Sequence, residues 1–416
     1  MRVLIVADNA SSEFGGEAFL PLNYFRLLRA RQIDVRLLVQ ERNRSVLEKE
    51  FAEDLDRLHY VKDTQLHKVV FRLGNFLPRR VAYVTTGFVI QLTTQLAQRR
   101  FIRTLLKTYY FDVIHVPIPV SPKTPSLFYG IGRPIIFGPM NGGMEYPPAF
   151  RREEGWLSRL VVAIGRGLAD LVNFALPGKR WANLLLVANA RTRNALPRGV
   201  QGRVMDLVEN GVDFTIWRRS ESRLAYGKTT KLIFVGRLVD WKALEIVFEA
   251  IERLGGHARL SFEIVGDGPM RSAWQRLSQE MGLSEIATFS GWMNQADCAR
   301  KLISADVFVL PSLFEAGGAV VLEAMAMGLP VIATAWGGPL DYLDDSCGIL
   351  VPPHSREELI SGFARAIAML ANEPDLRLRL GEAGYQKAKL YFDWERKIDR
   401  MLDLYSLAAK STQSAC

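Results

Sequence analysis

The feature that most constrains this chain is a repeated alternation. Short runs rich in β-branched apolar residues are each followed by a stretch long enough for a helix, in two series that restart after Asn210-Gly211. In the first series Arg2–Ala7, Val35–Val39, Val113–His115, Pro134–Phe137 and Leu184–Ala188 read as strands. In the second they are Lys231–Val235, Phe262–Val265, Val307–Leu310, Val331–Thr334 and Ile349–Val351. Apolar runs without polar alternation suit strands covered on both faces. The intervening helix-like stretches are Glu17–Ala30, with Ala18, Leu22, Phe25 and Leu28 roughly on one face, and then 242–254, 270–282, 294–303, 318–328 and 355–371. Residues 44–108 read as mainly helical and basic. Such an order predicts an α/β fold of two Rossmann-like parallel-sheet domains with right-handed crossovers. At 416 residues the chain exceeds one hydrophobic core. The expected division is 1–208, 209–390, and a terminal segment 391–416 in which Asp393–Leu407 forms a last helix. Two such domains would face a cleft, and ligands of these sheets bind outside the carboxyl ends of the strands.

Composition removes other classes. Hydrophobic residues make up 49% and charged residues 23% of the chain, which excludes wholesale disorder, a collagen-like fibre or a coiled coil. No apolar run reaches the roughly 18 uncharged residues of a membrane span. The start, MRVLIVADNASSEFGG, lacks a signal peptide's basic region and long apolar stretch. Cys298, Cys347 and Cys416 are too few and too scattered for a disulfide framework or a zinc site. The expectation is a soluble cytoplasmic protein. Charge is unevenly placed: residues 1–200 hold 29 Lys and Arg against 16 Asp and Glu, or +13, and the remainder is −4. A basic half suits phosphates or anionic lipid head groups. Without a zinc-finger, basic-zipper or RNA-recognition signature, nucleic acid is not an expected partner. Trp156–Leu176 spaces Leu157, Leu160, Val161, Ile164, Leu168 and Leu171 as a helix does, interrupted by Arg166 and Asp170. It reads first as a core-packing helix, with a helix lying on a membrane surface as the alternative.

The loops after strands carry the chemistry. In Phe234-Val235-Gly236-Arg237-Leu238-Val239-Asp240-Trp241-Lys242, Gly236 lets a ligand approach the backbone. Arg237 can fork two phosphate oxygens, and Lys242 adds a point charge. In Pro311–Glu323, Glu315 lies on the loop, Gly317-Gly318 opens a helix, and Glu323 sits on it. The free N–H groups of Gly318, Ala319 and Val320 make an anion site. Glu315 and Glu323 would stand roughly 10 Å apart by helical rise, suited to hydroxyls at opposite ends of one long ligand. Gly15-Gly16, after the first strand, could cradle phosphate as well. Gly266-Asp267-Gly268-Pro269 reads as a turn, not a dinucleotide fingerprint.

The spacing Glu315-x7-Glu323, with FVGRLVDWK, EIVGDGP, ENGVD and VLEAMAMGLPVIAT, resembles glycosyltransferase family 4, strongly over the C-terminal half and moderately over the N-terminal half. The segments DVIHVPIPVSPKTPS and IIFGPMNGGMEYPPAF resemble a bacterial subgroup that builds exopolysaccharide or lipid-linked glycans. The resemblance implies GT-B architecture and retaining, metal-independent transfer from a nucleotide-diphosphate sugar. It assigns Glu315 to the donor sugar, Glu323 to the ribose hydroxyls, and Arg237 and Lys242 to the diphosphate. It also brings the Gly15-Gly16 loop near the diphosphate, the base near Gly291-Trp292-Met293, and the last helix back to the N-terminal domain. The chain departs from the pattern in three places. The usual Lys-Gly pair is Lys242-Ala243, the usual aromatic before the helix glycine is Gly317, and a sugar-contacting His is replaced by Gly138-Pro139-Met140-Asn141. Asn141 is a candidate for that contact, and His115 is the other.

The expected activity is transfer of a sugar from a UDP- or GDP-type donor to a hydroxyl of a glycan or lipid-linked acceptor, without cofactor or metal, with an anionic membrane surface, the inner face of the plasma membrane, as a further candidate partner. A non-hydrolysing sugar-nucleotide epimerase of the same architecture, or a scaffold protein with a degenerate site, are the alternatives.

Overall fold

The structure is a computed structural model of the 416-residue chain. It describes all residues except 13–15, 75, 77–81, 152–155, 220–228, 257–258 and 414–416. The chain divides into two compact units. Unit 1 comprises Met1–Gly143, Glu154–Glu209 and Lys397–Cys416; unit 2 comprises Met144–Glu153 and Asn210–Arg396.

Unit 1 is built on a seven-stranded parallel sheet. Its strands are β1 Arg2–Val6, β2 Asp34–Gln40, β3 Leu58–Val61, β4 Val113–Val116, β5 Ile135–Met140, β6 Leu184–Val187 and β7 Arg203–Asp206. They lie in the order β3-β2-β1-β4-β5-β6-β7. The inner strands are the apolar runs seen in the sequence, and β4, β5 and β6 are buried throughout. Ala18, Leu22, Phe25 and Leu28 of the first helical segment are all buried, as their spacing predicts. On one face, Ile102 and Leu105 of the helix Phe88–Thr108 pack with Ile114, Phe128, Ile135 and Leu185. The last helix, Trp394–Gln413, returns part of the chain to this unit. There Lys397 Nζ donates to the Glu209 carbonyl, and Tyr405 lies against His115 at 5.5 Å between rings.

Unit 2 carries a six-stranded parallel sheet. Its strands are β8 Thr230–Val235, β9 Leu260–Val265, β10 Ala287–Gly291, β11 Val307–Leu310, β12 Val331–Thr334 and β13 Gly348–Val351, in the order β10-β9-β8-β11-β12-β13. Two helices of this unit, Gln295–Ile303 and Arg356–Asn372, begin where a side chain satisfies a free backbone N–H group. Asn294 Oδ1 accepts from Asp297 N at 2.9 Å, and Ser355 Oγ from Glu358 N at 3.1 Å.

Two local readings change. The sequence reading did not find β3, β7 and β10, all of which lie at sheet edges. The edge strand β7, Arg-Val-Met-Asp, has no fully buried position. The helix Trp156–Ala175 does not pack the core with the described part of its apolar stripe, because Leu160, Ile164, Leu168, Leu171 and Phe174 are exposed; the side chains of Leu157 and Val161 lie outside the described residues.

Candidate functional site

In unit 2 the chain passes from β8 to β9 on one side of the sheet, whereas β11 lies on the other side of β8 and leads to β12. The pairs Leu232–Val307 and Ile233–Phe308 join β8 and β11. This is the topological switch point, where the loops leaving two adjacent strands turn apart and leave a crevice. Both loops singled out in the sequence start here.

The loop after β8 is held by main-chain bonds to the next one: Gly236 N to Val265 O at 3.0 Å, Leu238 N to Asp267 O at 2.9 Å, and Met270 N to Leu238 O at 3.0 Å. Gly266 sits at φ +136°, and a Cβ there would lie 1.9 Å from the Gly236 carbonyl oxygen. The Gly266–Gly268 segment is therefore the packing surface for the Gly236 loop. Arg237 is exposed, and its guanidinium makes no hydrogen bond or ion pair with the described residues. Lys242 is nearly buried, at the end of the helical turn Asp240–Lys242. Its successor Ala243 is fully buried in the left-handed conformation at φ +50°. That region costs a residue with a Cβ roughly 1–2 kcal/mol. The local backbone thus has the geometry a glycine would adopt freely.

The loop after β11 is stitched to the first by Leu313 N donating to Trp241 O at 2.9 Å. Glu315 Oε2 accepts an ion-paired hydrogen bond from Lys242 Nζ, with the two side chains 15% and 11% exposed. The Glu315 carbonyl accepts from Gly338 N at 2.7 Å. A Cβ at Gly338 would lie 2.0 Å from the Gly317 carbonyl oxygen, so the Gly317 turn rests directly on backbone. Phe314 packs on Tyr146 at 5.4 Å between ring centroids. Gly318, at φ +74°, opens the helix Ala319–Ala326, and a Cβ there would lie 3.0 Å from Glu315 Cγ. Gly318, Ala319 and Val320 are partly exposed residues at this helix start, where N–H groups have no partner within the helix.

Glu323 lies farther along the same helix, half-buried; its carbonyl accepts from Met327 N at 3.1 Å, and its carboxylate makes no hydrogen bond or ion pair with the described residues. Burial pushes its carboxyl up to about 7. The Cys298 thiol is pushed up to about 11, first by burial and then by the Glu323 charge, which puts that charge in the neighbourhood of Cys298. Cys298 Sγ donates to the Met293 carbonyl at 3.7 Å. Glu323 and the Gly291–Met293 loop therefore share one neighbourhood. A cavity of about 300 Å³ opens beside Trp241, lined also by Tyr146, Asp240, Glu245 and Trp274. Among the described residues no group of three or more His, Cys, Asp or Glu could hold a metal ion.

In unit 1, Gly16 follows β1 at φ +76°, with open space where a Cβ would stand. Gly15 lies outside the described residues. The expectations for His115 and Asn141 are corrected. His115 has no exposed surface; its Nε2 faces the Gly138 carbonyl at 2.6 Å and its Nδ1 the Tyr405 hydroxyl at 2.8 Å. Burial pushes it down to about 4, so the ring is neutral. A carbonyl can only accept, so Nε2 carries the proton and Nδ1 accepts from Tyr405. Both nitrogens are thus used inside unit 1. Asn141 is also buried, and its Oδ1 accepts from Arg191 at 3.2 Å and Asn189 at 3.3 Å. It clamps the loop after β5 and does not offer that oxygen to a ligand.

The sequence reading missed Asp8 and Lys179. Asp8 directly follows the β1 run and is pushed up to about 7 by burial, opposed by Arg42. Lys179 is buried against the Ser121 and Pro122 carbonyls and pushed down to about 7 by burial, opposed by the Glu17 charge. Asp8 had a signal, its place at a strand end. Lys179 had none, because its partners lie 57 and 58 residues away.

Comparison with known proteins adds to this geometry. Residues 215–387 match the family model described as glycosyl transferases group 1. The lipopolysaccharide core biosynthesis glycosyltransferase LpsE of Rhizobium meliloti is 36% identical over 177 residues, 42% of this chain and 49% of that protein. The alpha-D-kanosaminyltransferase of Streptomyces kanamyceticus is 34% identical over 169 residues, 40% of this chain and 43% of that protein. The chain thus spans about half the length of the curated relatives it matches. Among solved structures, sucrose-phosphate synthase from Thermosynechococcus elongatus aligns with a TM-score of 0.69 at 19% identity, covering 99% of this chain and 100% of that one. WaaG, a glycosyltransferase involved in lipopolysaccharide biosynthesis, aligns at 0.58 and 18% identity, covering 95% and 98%. Those two likenesses establish the fold: two Rossmann-like parallel-sheet domains shared with glycosyltransferases. The segment supplying Arg237, Lys242, Glu315 and Glu323 is the one that matches the glycosyl transferases group 1 family.

Proposed function

We propose that this protein transfers a sugar from a nucleoside-diphosphate sugar to an acceptor hydroxyl with retention at the anomeric carbon. The observation that carries the reading is the cluster at the β8/β11 switch point: Lys242 paired with Glu315, Arg237 unpaired, and a helix start at Gly318–Val320. The group 1 match over the same segment supports it. The departing diphosphate needs its growing charge met. Arg237, Lys242 and the helix amides supply fixed positive groups for this without a metal. Glu315 contacts the donor sugar and Glu323 takes the ribose hydroxyls. A UDP or GDP donor, with a glycan or lipid-linked acceptor, is the working assignment. Acceptor attack on the face the diphosphate leaves gives retention.

The test is incubation of the purified chain with UDP- and GDP-sugars, with nucleotide release and product anomer read by NMR. Release of nucleoside diphosphate with an α-linked product from an α-linked donor is expected. An inverted anomer would overturn the retaining assignment. A sugar-nucleotide epimer formed without acceptor would favour an epimerase. Failure to bind any nucleoside diphosphate would favour a scaffold.

A further inference from the structure

The helix Trp156–Ala175 is built inside out. At about 100° per residue, Leu160, Ile164, Leu168, Leu171 and Phe174 fall in one stripe roughly 120° wide. Their exposures run from 49% to 69%. Among the side chains the structure describes on this helix, the buried ones are Ala169 and Asn173, whose Nδ2 donates to Lys123 O at 2.8 Å. A helix of a water-facing domain normally turns its apolar stripe to the core. Here, among those described side chains, a small and a polar residue are inside and the large apolar ones are outside.

The helix Gln65–Gly74 repeats the pattern. His67 and Val70 are buried, while Leu66, Val69 and Leu73 are exposed at helical spacing, with Phe76 beyond them. The helical turn Tyr83–Gly87 packs beside both helices and beside the helix Phe88–Thr108, all within unit 1. A Cβ at Gly74 would lie 2.6 Å from Thr86 Oγ1, so this joint is tight. One region of unit 1 therefore carries two unpartnered apolar faces, more than scattered surface residues would produce.

Charge decides what would cover it. From residue 64 to residue 111 the chain has no Asp or Glu and eight Lys or Arg. Arg100, Arg103 and Lys107 are exposed at i, i+3 and i+7 and form no ion pair with the described residues. A second copy of this chain would bring the same cationic tract against itself. An anionic lipid surface would neutralise it. Among the described residues no helix is long and apolar enough to cross a membrane. The stripe suits a helix lying in the headgroup–acyl boundary, with basic residues at the anionic surface.

We propose that this face of unit 1 docks on anionic membranes by inserting the exposed stripe of Trp156–Ala175 and the outer face of Gln65–Gly74. The inference does not depend on the sugar-transfer reading, and its test uses no donor. Full-length protein is floated with vesicles of phosphatidylcholine alone, or of phosphatidylcholine with phosphatidylglycerol. Binding is expected only with the anionic lipid, falling steeply with salt. Arg100→Ala, Arg103→Ala and Lys107→Ala together should weaken partitioning about a hundred-fold, at roughly five-fold per cation. Leu168→Glu with Leu171→Glu should abolish it at unchanged circular dichroism and melting temperature, since both side chains are already exposed. Three outcomes would overturn the proposal: no binding to anionic vesicles at low salt, binding indifferent to the Leu substitutions, or a dimer in light scattering that these same substitutions dissolve.

Discussion

Removing the charge of Glu315 separates its two proposed tasks. In the structure Glu315 neutralises Lys242, and both side chains are largely buried. Breaking a fully buried pair from one side costs about 3–5 kcal/mol, and an exposed pair is worth about 1 kcal/mol or less. With 15% and 11% exposure this pair lies between the two limits. Glu315→Gln, which keeps the shape, should thus destabilise the free protein by about 2 kcal/mol. For a domain of this size that is a melting shift of about 4–8 °C. A diphosphate would then supply the missing anion to Lys242. The nucleoside diphosphate should bind Glu315→Gln more tightly than the parent, by up to about 30-fold if the whole 2 kcal/mol is recovered. Sugar transfer should fall by orders of magnitude. Calorimetry with UDP and GDP, melting curves with and without ligand, and steady-state rates give the three readings. Weaker nucleotide binding together with an unchanged melting temperature would refute the claim that Glu315 and the diphosphate compete for Lys242.

Other substitutions probe the remaining parts. Glu323→Gln should weaken nucleoside diphosphate binding about ten-fold while a ribose-free pyrophosphate is unaffected, read by calorimetry. The Glu323 carboxyl is raised to about 7 by burial, so the folded state holds a proton that the unfolded state loses above about 4.5. Its contribution therefore falls as pH rises from about 4.5 to 7. Glu323→Gln should accordingly gain about 2 kcal/mol over the parent at pH 8 and nothing at pH 4, by denaturant titration. Gly318→Ala combines a left-handed backbone with a Cβ 3.0 Å from Glu315 Cγ, and should lose about 1–2 kcal/mol and most turnover. Ala243→Gly relieves the φ +50° strain but deletes a buried methyl worth about 0.8 kcal/mol and frees the unfolded chain. Its stability should change by less than about 1 kcal/mol, with activity retained; a large loss would show that the methyl shapes the Lys242 loop. Activity should survive chelator, checked with EDTA and add-back of magnesium or manganese.

How much of this was legible in the sequence depends on where each residue lies. The inner strands announce themselves because both faces are covered, leaving the apolar runs of β1, β4, β8, β11 and β12. From those runs the loops bearing Arg237 and Glu315 follow directly, since each begins where a strand ends. Three of the four edge strands, β3, β7 and β10, were not legible because an edge needs less apolar cover: β10 is Ala-Thr-Phe-Ser-Gly with only Gly291 buried, whereas the edge strand β13 kept the apolar run Ile349–Val351. Pairing across the fold was equally hidden. Nothing near His115 reveals that Tyr405, 290 residues later, takes its second nitrogen. The Trp156–Leu176 periodicity was visible, but periodicity states that a stripe exists and not which way it points.

The path of the last helix bears on how such proteins can be recombined. Trp394 is bonded to Val212 in unit 2, while Lys397 and Tyr405 of the same helix complete the interior of unit 1 around Glu209 and His115. A graft that joins residues 1–209 to a foreign second unit would strip His115 of its hydroxyl partner and Glu209 of its ammonium. A chimera that exchanges the Asn210–Arg396 part of unit 2 must splice twice, before Asn210 and after Arg396, leaving Met144–Glu153 and the final turns native to their own first half. Exchange of this segment between members of the fold is then an insertion event, not a head-to-tail swap. Inheritance of the terminal helix should track unit 1.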